Sequence, residues 1–352
     1  NPKKAKIAYA VQVGPLSLLD SIAYLSFSPA QDSLLHATHD KRLLRSGDAF
    51  SVVRLTNEQA RISKLFRNAG YYFWQDNYTT FQADTLARRQ LVQLHVQPLP
   101  VIDKRALRPW KIGETHITVR RYDSEILEKT KSKRFFTFNY SGKHIPLRSS
   151  MWRQAVTHKH GELYSYDNQR TTLEKLNNIG VFRLLDVEYI PQDTTDLCDS
   201  LDLYVTAVLD KPYESDFEMN ATLKSNQQVG PGMSYELYKN NAFRGGERIS
   251  FKLFGSYEWQ IRTGTERNSS LLDSYELGSQ LAFQFPRIFF PFISKKRLRF
   301  PAQTTFALNT DWKKRTSFFT LINAGVSAKY TWHKKQNRSE ERRVGKECVS
   351  TC

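Results

Sequence analysis

No run of about 18 apolar residues occurs in the 352-residue sequence, so a transmembrane helix is excluded on length. A mean hydropathy of −0.55 agrees with that absence. It does not exclude a β-barrel, whose strands need only about ten residues of alternating polarity, a signal that averages to nothing on such a scale. Cysteine is scarce. Cys198, Cys348 and Cys352 are too few for a disulfide scaffold and lack the paired spacing of a zinc site, which leaves the redox compartment open. An initiator Met and a charged-then-apolar leader are missing, so the chain reads as a fragment without its export signal. No Gly-x-Ser-x-Gly elbow occurs, and Gly142-Lys143-His144 lacks the further glycine and hydroxyl of a phosphate loop.

What is present fits two or three units of ordinary domain size, with 40% hydrophobic residues to supply their cores and 13% aromatics. The net charge of +17 suits an anionic partner. Its clusters at Lys129–Arg134, Lys295–Arg299 and Lys313–Arg315 lie between or beside strand-like segments rather than along one helix. They read as solvated loops and membrane-proximal turns meeting lipid headgroups. His158, Lys159 and His160 hint at a metal but have no nearby Cys or carboxylate pair, and read as surface residues.

The first 212 residues contain a repeat. Asn68 and Gly70 recur 110 residues later as Asn178 and Gly180, and the strand-like Leu91–Val96 falls on Leu201–Val205. Upstream, Gly47–Ser51 resembles Gly161–Ser165 at an offset of 114, so the first copy holds four extra residues, close to one helical turn. In each copy apolar residues at helical spacing (Ile62, Leu65, Phe66; Leu173, Leu176, Ile179) predict helices over Asn57–Ala69 and Asn168–Asn178. Gly70 and Gly180 close them with positive φ. Strands are expected at Tyr71–Trp74 and Val181–Tyr189, at Leu91–Val96 and Leu201–Val208, and earlier at Ile7–Val13, before a Gly14-Pro15 turn, and His116–Arg120. The second copy carries an additional basic segment over Ser124–Tyr140. The unit is a set of helices packed on a small mixed sheet.

After Pro212 the period changes from 3.6 to 2. Phe217, Met219, Ala221 and Leu223 alternate with Glu218, Asn220, Thr222 and Lys224; Met233, Tyr235 and Leu237 follow a predicted turn at Gly230-Pro231-Gly232. The third run alternates from Ile249 to Ile261, the fourth from Tyr275 to Phe285, the fifth from Phe306 to Trp312, and the sixth from Phe318 to Trp332. Soluble strands average about five or six residues, whereas a tilted strand crossing lipid needs about nine to eleven. Length therefore favours a transmembrane barrel over a soluble sheet with one covered face. Six strands cannot close alone, since single-chain bacterial barrels have at least about eight.

This order of parts resembles the BamA/TamA-type outer-membrane assembly proteins, which carry POTRA modules followed by a surface-antigen barrel. The second copy is similar to a POTRA module in Gly161–Ser165, in Leu173, Leu176, Ile179, Gly180 and Phe182, in Val187 and Tyr189, and in Leu201, Leu203 and Val205. Asn240–Glu247, with Phe243, Arg244, Gly245, Gly246 and Glu247, is similar to the short periplasmic turn between the family's second and third barrel strands. The likeness covers roughly residues 5–335 and departs from the family in lacking the C-terminal strands and the Arg-Gly-Phe lid motif.

The resemblance implies an α+β then all-β fold. Its parts are POTRA-like modules over 1–102 and 103–212, the first six or so antiparallel barrel strands over 213–337, and a non-native tail over 338–352 that resembles translated adapter sequence. It implies an assembly or insertion factor in the bacterial outer membrane, with its modules in the periplasm, that folds or translocates clients without catalysis, cofactor or metal. The client-pairing edge would be the first barrel strand, Asp216–Ser225, through Phe217, Glu218, Met219, Asn220, Ala221, Thr222 and Leu223. Implied partners are unfolded outer-membrane client proteins, outer-membrane lipid and periplasmic or lipoprotein subunits, with no nucleic acid. Two other readings stand beside it: a POTRA-bearing secretion pore for one dedicated partner, and a basic soluble protein that binds nucleic acid through aromatic-rich sheets.

Overall fold

The computed structural model describes residues 16–88, 90–193, 195, 198–223, 228–260, 274–288, 302–316 and 318–332. Ile7–Val13, the Gly14-Pro15 turn, the Lys295–Arg299 cluster, Lys224, Ile261 and the 338–352 tail lie outside them. Packing divides the chain into two compact units, Asn1–Ile112 with His160–Asp167 and Pro191–Leu201, and Gly113–Lys159 with Asn168–Ile190 and Asp202–Cys352.

The first unit runs β1 (Leu18–Tyr24), α1 (Pro29–Ala37), α2 (Val52–Asn68), β2 (Thr79–Arg88) and β3 (Leu91–Pro98). Its sheet has the order β1-β3-β2, with β1 parallel and β2 antiparallel to β3. Ser28 and Gln31 form a reciprocal capping box at the start of α1, with Pro29 in the first turn, where its missing N–H costs nothing. Ile62 and Phe66, one helical turn apart on α2, are fully buried against Val92, Leu94 and Val96 of β3. Glu58 on the same helix is also fully buried. Its carboxylate accepts from the Arg61 guanidinium, the Leu43 N–H and the Tyr24 hydroxyl, so the buried charge is satisfied. Burial and that carboxylate push the Tyr24 hydroxyl's pKa well up.

The helix starts five residues ahead of the expected Asn57 and ends at Asn68, two residues before Gly70, whose φ is +106°. The strand expected at Tyr71–Trp74 is absent. Those aromatics form a turn, with the Trp74 N–H donating to the Tyr71 carbonyl, and drop into the core, where Trp74 meets Phe66 edge-on at 4.9 Å. Aromatic content there reflects a plug at the end of the helix rather than β propensity.

Backbone bonds confirm the repeat and re-register its start. In the first copy Leu19 N–H donates to Asp48 and Gly47 N–H to Leu19; in the second, Ile112 N–H donates to Glu162 and Gly161 N–H to Ile112, all at 2.7–2.8 Å. Gly47 and Gly161 both hold positive φ, +85° and +80°. The counterpart of β4 (Lys111–Arg120) is therefore β1, a strand absent from the sequence-based reading.

The second unit contains most of β4, then β5 (Lys129–Lys133), β6 (Phe136–Tyr140), α3 (Ser149–Ala155), α4 (Tyr166–Ile179), β7 (Phe182–Pro191) and β8 (Ser200–Leu209), in the sheet order β5-β6-β4-β8-β7. Ile117, Val119, Phe138, Trp152, Leu176, Leu203 and Val205 are buried to within 1%. The additional basic segment is the β5–β6 hairpin laid along β4. Lys129–Lys133 is thus a strand, not a loop. Likewise Lys313–Arg315 ends a strand instead of forming a turn, with Lys313 paired to Glu276 at 3.1 Å.

The same unit continues into β9 (Tyr213–Leu223), β10 (Gln228–Lys239), β11 (Arg248–Gln260), β12 (Ser274–Phe285), β13 (Ala302–Arg315) and β14 (Phe319–Trp332), each antiparallel to the next. The strands are 11 to 14 residues long, about twice the soluble norm. Gly230-Pro231-Gly232 lies inside β10 rather than in a turn, opposite Thr222, Ala221 and Asn220. A Cβ at Gly230 would collide with the Tyr257 carbonyl oxygen, so the glycine marks a close approach of two strand backbones.

Candidate strand-pairing edge and its anchoring turn

Register decides which side chains share a face. Met219, Met233, Gly255, Leu277, Trp312 and Ile322 form one unbroken cross-strand row. Phe251, Leu281, Leu308 and Val326 form another. Most of these residues are exposed, Met219 to 66%, Ile322 to 75% and Val326 to 82%, while Gly255 and Leu281 are half-buried. Among the described residues nothing covers this face. The opposite face carries Glu218, Asn220, Thr222, Ser234, Lys252, Ser256, Glu276 and Gln280 around a concavity of about 390 Å³. The sheet therefore curls with its polar side inward and its apolar side outward, which is the polarity of a barrel wall in lipid and the inverse of a soluble sandwich. Aromatic residues collect near both ends, Tyr257, Trp259 and Tyr275 at one and Phe285, Phe306 and Tyr330 at the other.

β9 is the terminal strand of this sheet, paired only with β10 among the described residues. Phe217, Met219, Ala221 and Leu223 fall on its apolar side and Glu218, Asn220 and Thr222 on its polar side, all of them exposed. A strand in this position presents a row of unpaired N–H and C=O groups along its outer side.

The turn that was read from Phe243, Arg244, Gly245, Gly246 and Glu247 connects β10 to β11. Glu247 is 2% exposed and works in two directions. Its carboxylate accepts from the Gly245 N–H at 2.7 Å and pairs with Arg287 at 3.1 Å. Gly246 takes φ +77°, and a Cβ there would lie 2.5 Å from Ile179 Cγ2, so the site needs glycine for conformation and for space. The Asn241 side chain accepts from the Gly246 N–H and donates to the Pro146 carbonyl, while the Arg148 N–H donates to the Arg244 carbonyl at 2.7 Å. At the foot of β9, Glu214 accepts from Asn240 at 2.8 Å and pairs with Arg248 at 3.1 Å.

Sequence reasoning found the turn, Asn241 included, but missed its other holders, Glu214, Arg148 and Arg287. The one available signal was Glu247 itself, an acidic residue directly after two glycines, which needs a cation once buried. Phe243 is half exposed and makes no comparable contact.

Elsewhere chemistry is sparse. No group of three or more His, Cys, Asp or Glu that could hold a metal occurs among the described residues, and no helix among them is long and apolar enough to cross a membrane, which says nothing of strands. His158 is not a surface residue: it is 4% exposed, with Nδ1 3.0 Å from the Tyr189 hydroxyl.

No family model matches the sequence, and no curated protein does. Among solved structures the chain is similar to BamA from Haemophilus ducreyi lacking POTRA domains 1-3, at 11% identity over 92% of this chain and 60% of that one, with a TM-score of 0.45. It is similar to CdiB from Acinetobacter baumannii at 11% identity over 92% and 60%, with a TM-score of 0.34. BamA POTRA3-5 from Haemophilus influenzae is similar over 55% of this chain and 61% of that one, at 14% identity and a TM-score of 0.34. The chain spans 60 to 61% of the length of these structures.

Proposed function

We propose that this chain belongs to an outer-membrane protein that folds, inserts or translocates other proteins by offering them the open edge of a β-barrel. POTRA-like modules over 1–102 and 103–212 would lie in the periplasm, and the barrel would begin at Tyr213. The supporting observation is the register-aligned apolar face of six long strands, mostly exposed, ending at a first strand whose outer side is unpaired among the described residues. In hydrocarbon each unpaired backbone group costs several kcal/mol. A client strand entering beside β9 exchanges that cost for ladder hydrogen bonds, and its specificity comes from alternation rather than from any catalytic side chain. The turn network would hold β9 and β10 in register with the adjoining module while the outer side of β9 pairs and releases.

Assembly factor and dedicated secretion pore share this edge and differ in clientele. A nucleic-acid surface fits less well, because the polar face holds Glu218, Glu258 and Glu276. The test adds an unfolded outer-membrane barrel protein to vesicles carrying this protein and follows its folding. Ala221→Pro, which removes a donor from the outer side of β9 because the even-numbered residues of that strand bond to β10, is expected to slow client folding to the rate of empty vesicles. Unchanged acceleration with the proline present would refute pairing at β9, and acceleration of a single secreted cargo alone would favour the pore.

A further inference from the structure

β4 and β6 are parallel, with Thr115 to Thr118 opposite Phe136 to Asn139, and β5 returns antiparallel with Lys129 opposite Tyr140. Arg120, Lys129 and Tyr140 therefore lie at one end of the sheet, and the loops 121–128 and 141–148 both leave from it. That end is also where Pro146 and Arg148 bond to Asn241 and Arg244 of the β10–β11 turn, all within the second unit. The loops thus stand beside the rim of the meander.

Their composition is unusual for solvated loops. Ile126 is 82% and Tyr122 60% exposed. Between them Glu125 is buried and accepts from the Arg121 N–H, which pins the loop with both apolar side chains outside. Around them the charge is cationic. The Lys129 ammonium donates to the Gly142 carbonyl at 2.8 Å, and a Cβ at Gly142 would lie 2.5 Å from Arg121 Nη2, so both cations converge on one glycine. The neighbouring Lys143 is exposed. Among the described residues none of these three cations has a carboxylate partner, whereas Asp123 is already neutralised by Arg183. Glu128 is the one exposed carboxylate in the strip that is not ion-paired.

We infer that this rim is an interfacial anchor. Ile126 and Tyr122 enter the periplasmic leaflet of the bilayer that the strands span, and Arg121, Lys129 and Lys143 bind phospholipid phosphates beside them. Aromatic and aliphatic residues flanked by cations are the composition that settles at a headgroup boundary, and each cation near an anionic surface strengthens binding about fivefold. The anchor would fix the height and tilt of the module against the barrel mouth, and with them the path by which a client reaches β9. The inference rests on the barrel reading.

The test separates the two. In a chain with Cys198, Cys348 and Cys352 replaced by Ser, a fluorophore is attached at Ile126→Cys or, as reference, at Val326→Cys on β14. The protein is reconstituted into vesicles of phosphatidylcholine with or without the anionic lipid phosphatidylglycerol. Lipid-borne quenchers are expected to reach both labels, and quenching at position 126 to strengthen with phosphatidylglycerol and to weaken about fivefold in Lys143→Gln, which removes one charge from an exposed side chain with no ion-pair partner among the described residues. A quenched reference with position 126 open to aqueous iodide in both lipids would overturn the anchor and leave the barrel standing. Quenching at 126 that ignores phosphatidylglycerol would overturn the cations' attraction to an anionic headgroup. An unquenched reference would overturn the barrel and the anchor together.

Discussion

β3 and β14 follow the same two-residue rhythm and meet opposite fates. On β3, Val92, Leu94 and Val96 are covered by α2 and are at most 2% exposed; on β14, Ile322 and Val326 are at least 75% exposed. Alternation specifies a face, not its environment. Strand length and cover supply the rest: β3 has 8 residues and a helix above it, while β14 has 14 and no layer over it among the described residues. The first arrangement is satisfied in water. The second needs an apolar neighbour, which hydrocarbon would supply.

The comparison is broken most severely at two phenylalanines, one on the helix that covers β3 and one on the outward face of the long-stranded sheet. Phe66→Ala in the first unit removes a fully buried ring and is expected to cost about 3–5 kcal/mol, read as a lowered urea midpoint. Phe251→Ala on the outward face, 40% exposed, opens no internal cavity and should cost less than half as much in detergent. Equal losses would mean that the meander's apolar face is a packed core after all.

A charge sharpens the same contrast. Leu308→Arg, mid-strand on the outward face, is expected to cost about 2–4 kcal/mol in a bilayer and little in aqueous urea, where that side chain has no lipid to lose. Insertion into vesicles against solubility in water measures the difference.

Smaller effects probe the turn and the first unit. Gly246→Ala places a methyl against Ile179 in a left-handed conformation and should cost about 1–3 kcal/mol, seen as faster exchange of the Gly245 and Gly246 amides. The smallest effect at neutral pH concerns Tyr164, whose hydroxyl burial holds at a pKa of about 12 despite the opposing pull of Arg67. Because the folded value lies above the unfolded one near 10, stability is complete below about pH 10 and falls as pH rises toward 12. Tyr164→Phe should flatten that alkaline limb in a pH series of thermal midpoints; an unchanged slope would assign the loss to another tyrosine.

Much of this was legible in the residues because it rests on local patterns. Ile62 with Phe66, the positive-φ glycines at 70 and 180, and the six alternating runs each declare themselves within a short window. What stayed hidden depends on partners far along the chain. β1 escaped notice because Leu18–Tyr24 is identified by its bonds to Gly47 and Asp48, not by its own alternation. The Tyr71–Trp74 strand failed because aromatics serve strands and core plugs alike. Gly230-Pro231-Gly232 looked like a turn because nothing nearby announces that Tyr257 passes within van der Waals contact. The anchoring turn was visible as Phe243–Glu247, but Arg287 lies 40 residues beyond Glu247.

The most direct measurement is a cysteine scan along β14 in reconstituted vesicles, with an environment-sensitive label placed one residue at a time from Leu321 to Ala328 in a cysteine-free background. Labels at Ile322, Ala324, Val326 and Ala328 should report hydrocarbon and those at Leu321, Asn323, Gly325 and Ser327 should report water. A scan with no two-residue period, or one whose even positions are shielded equally well without any lipid, would contradict a membrane-facing wall.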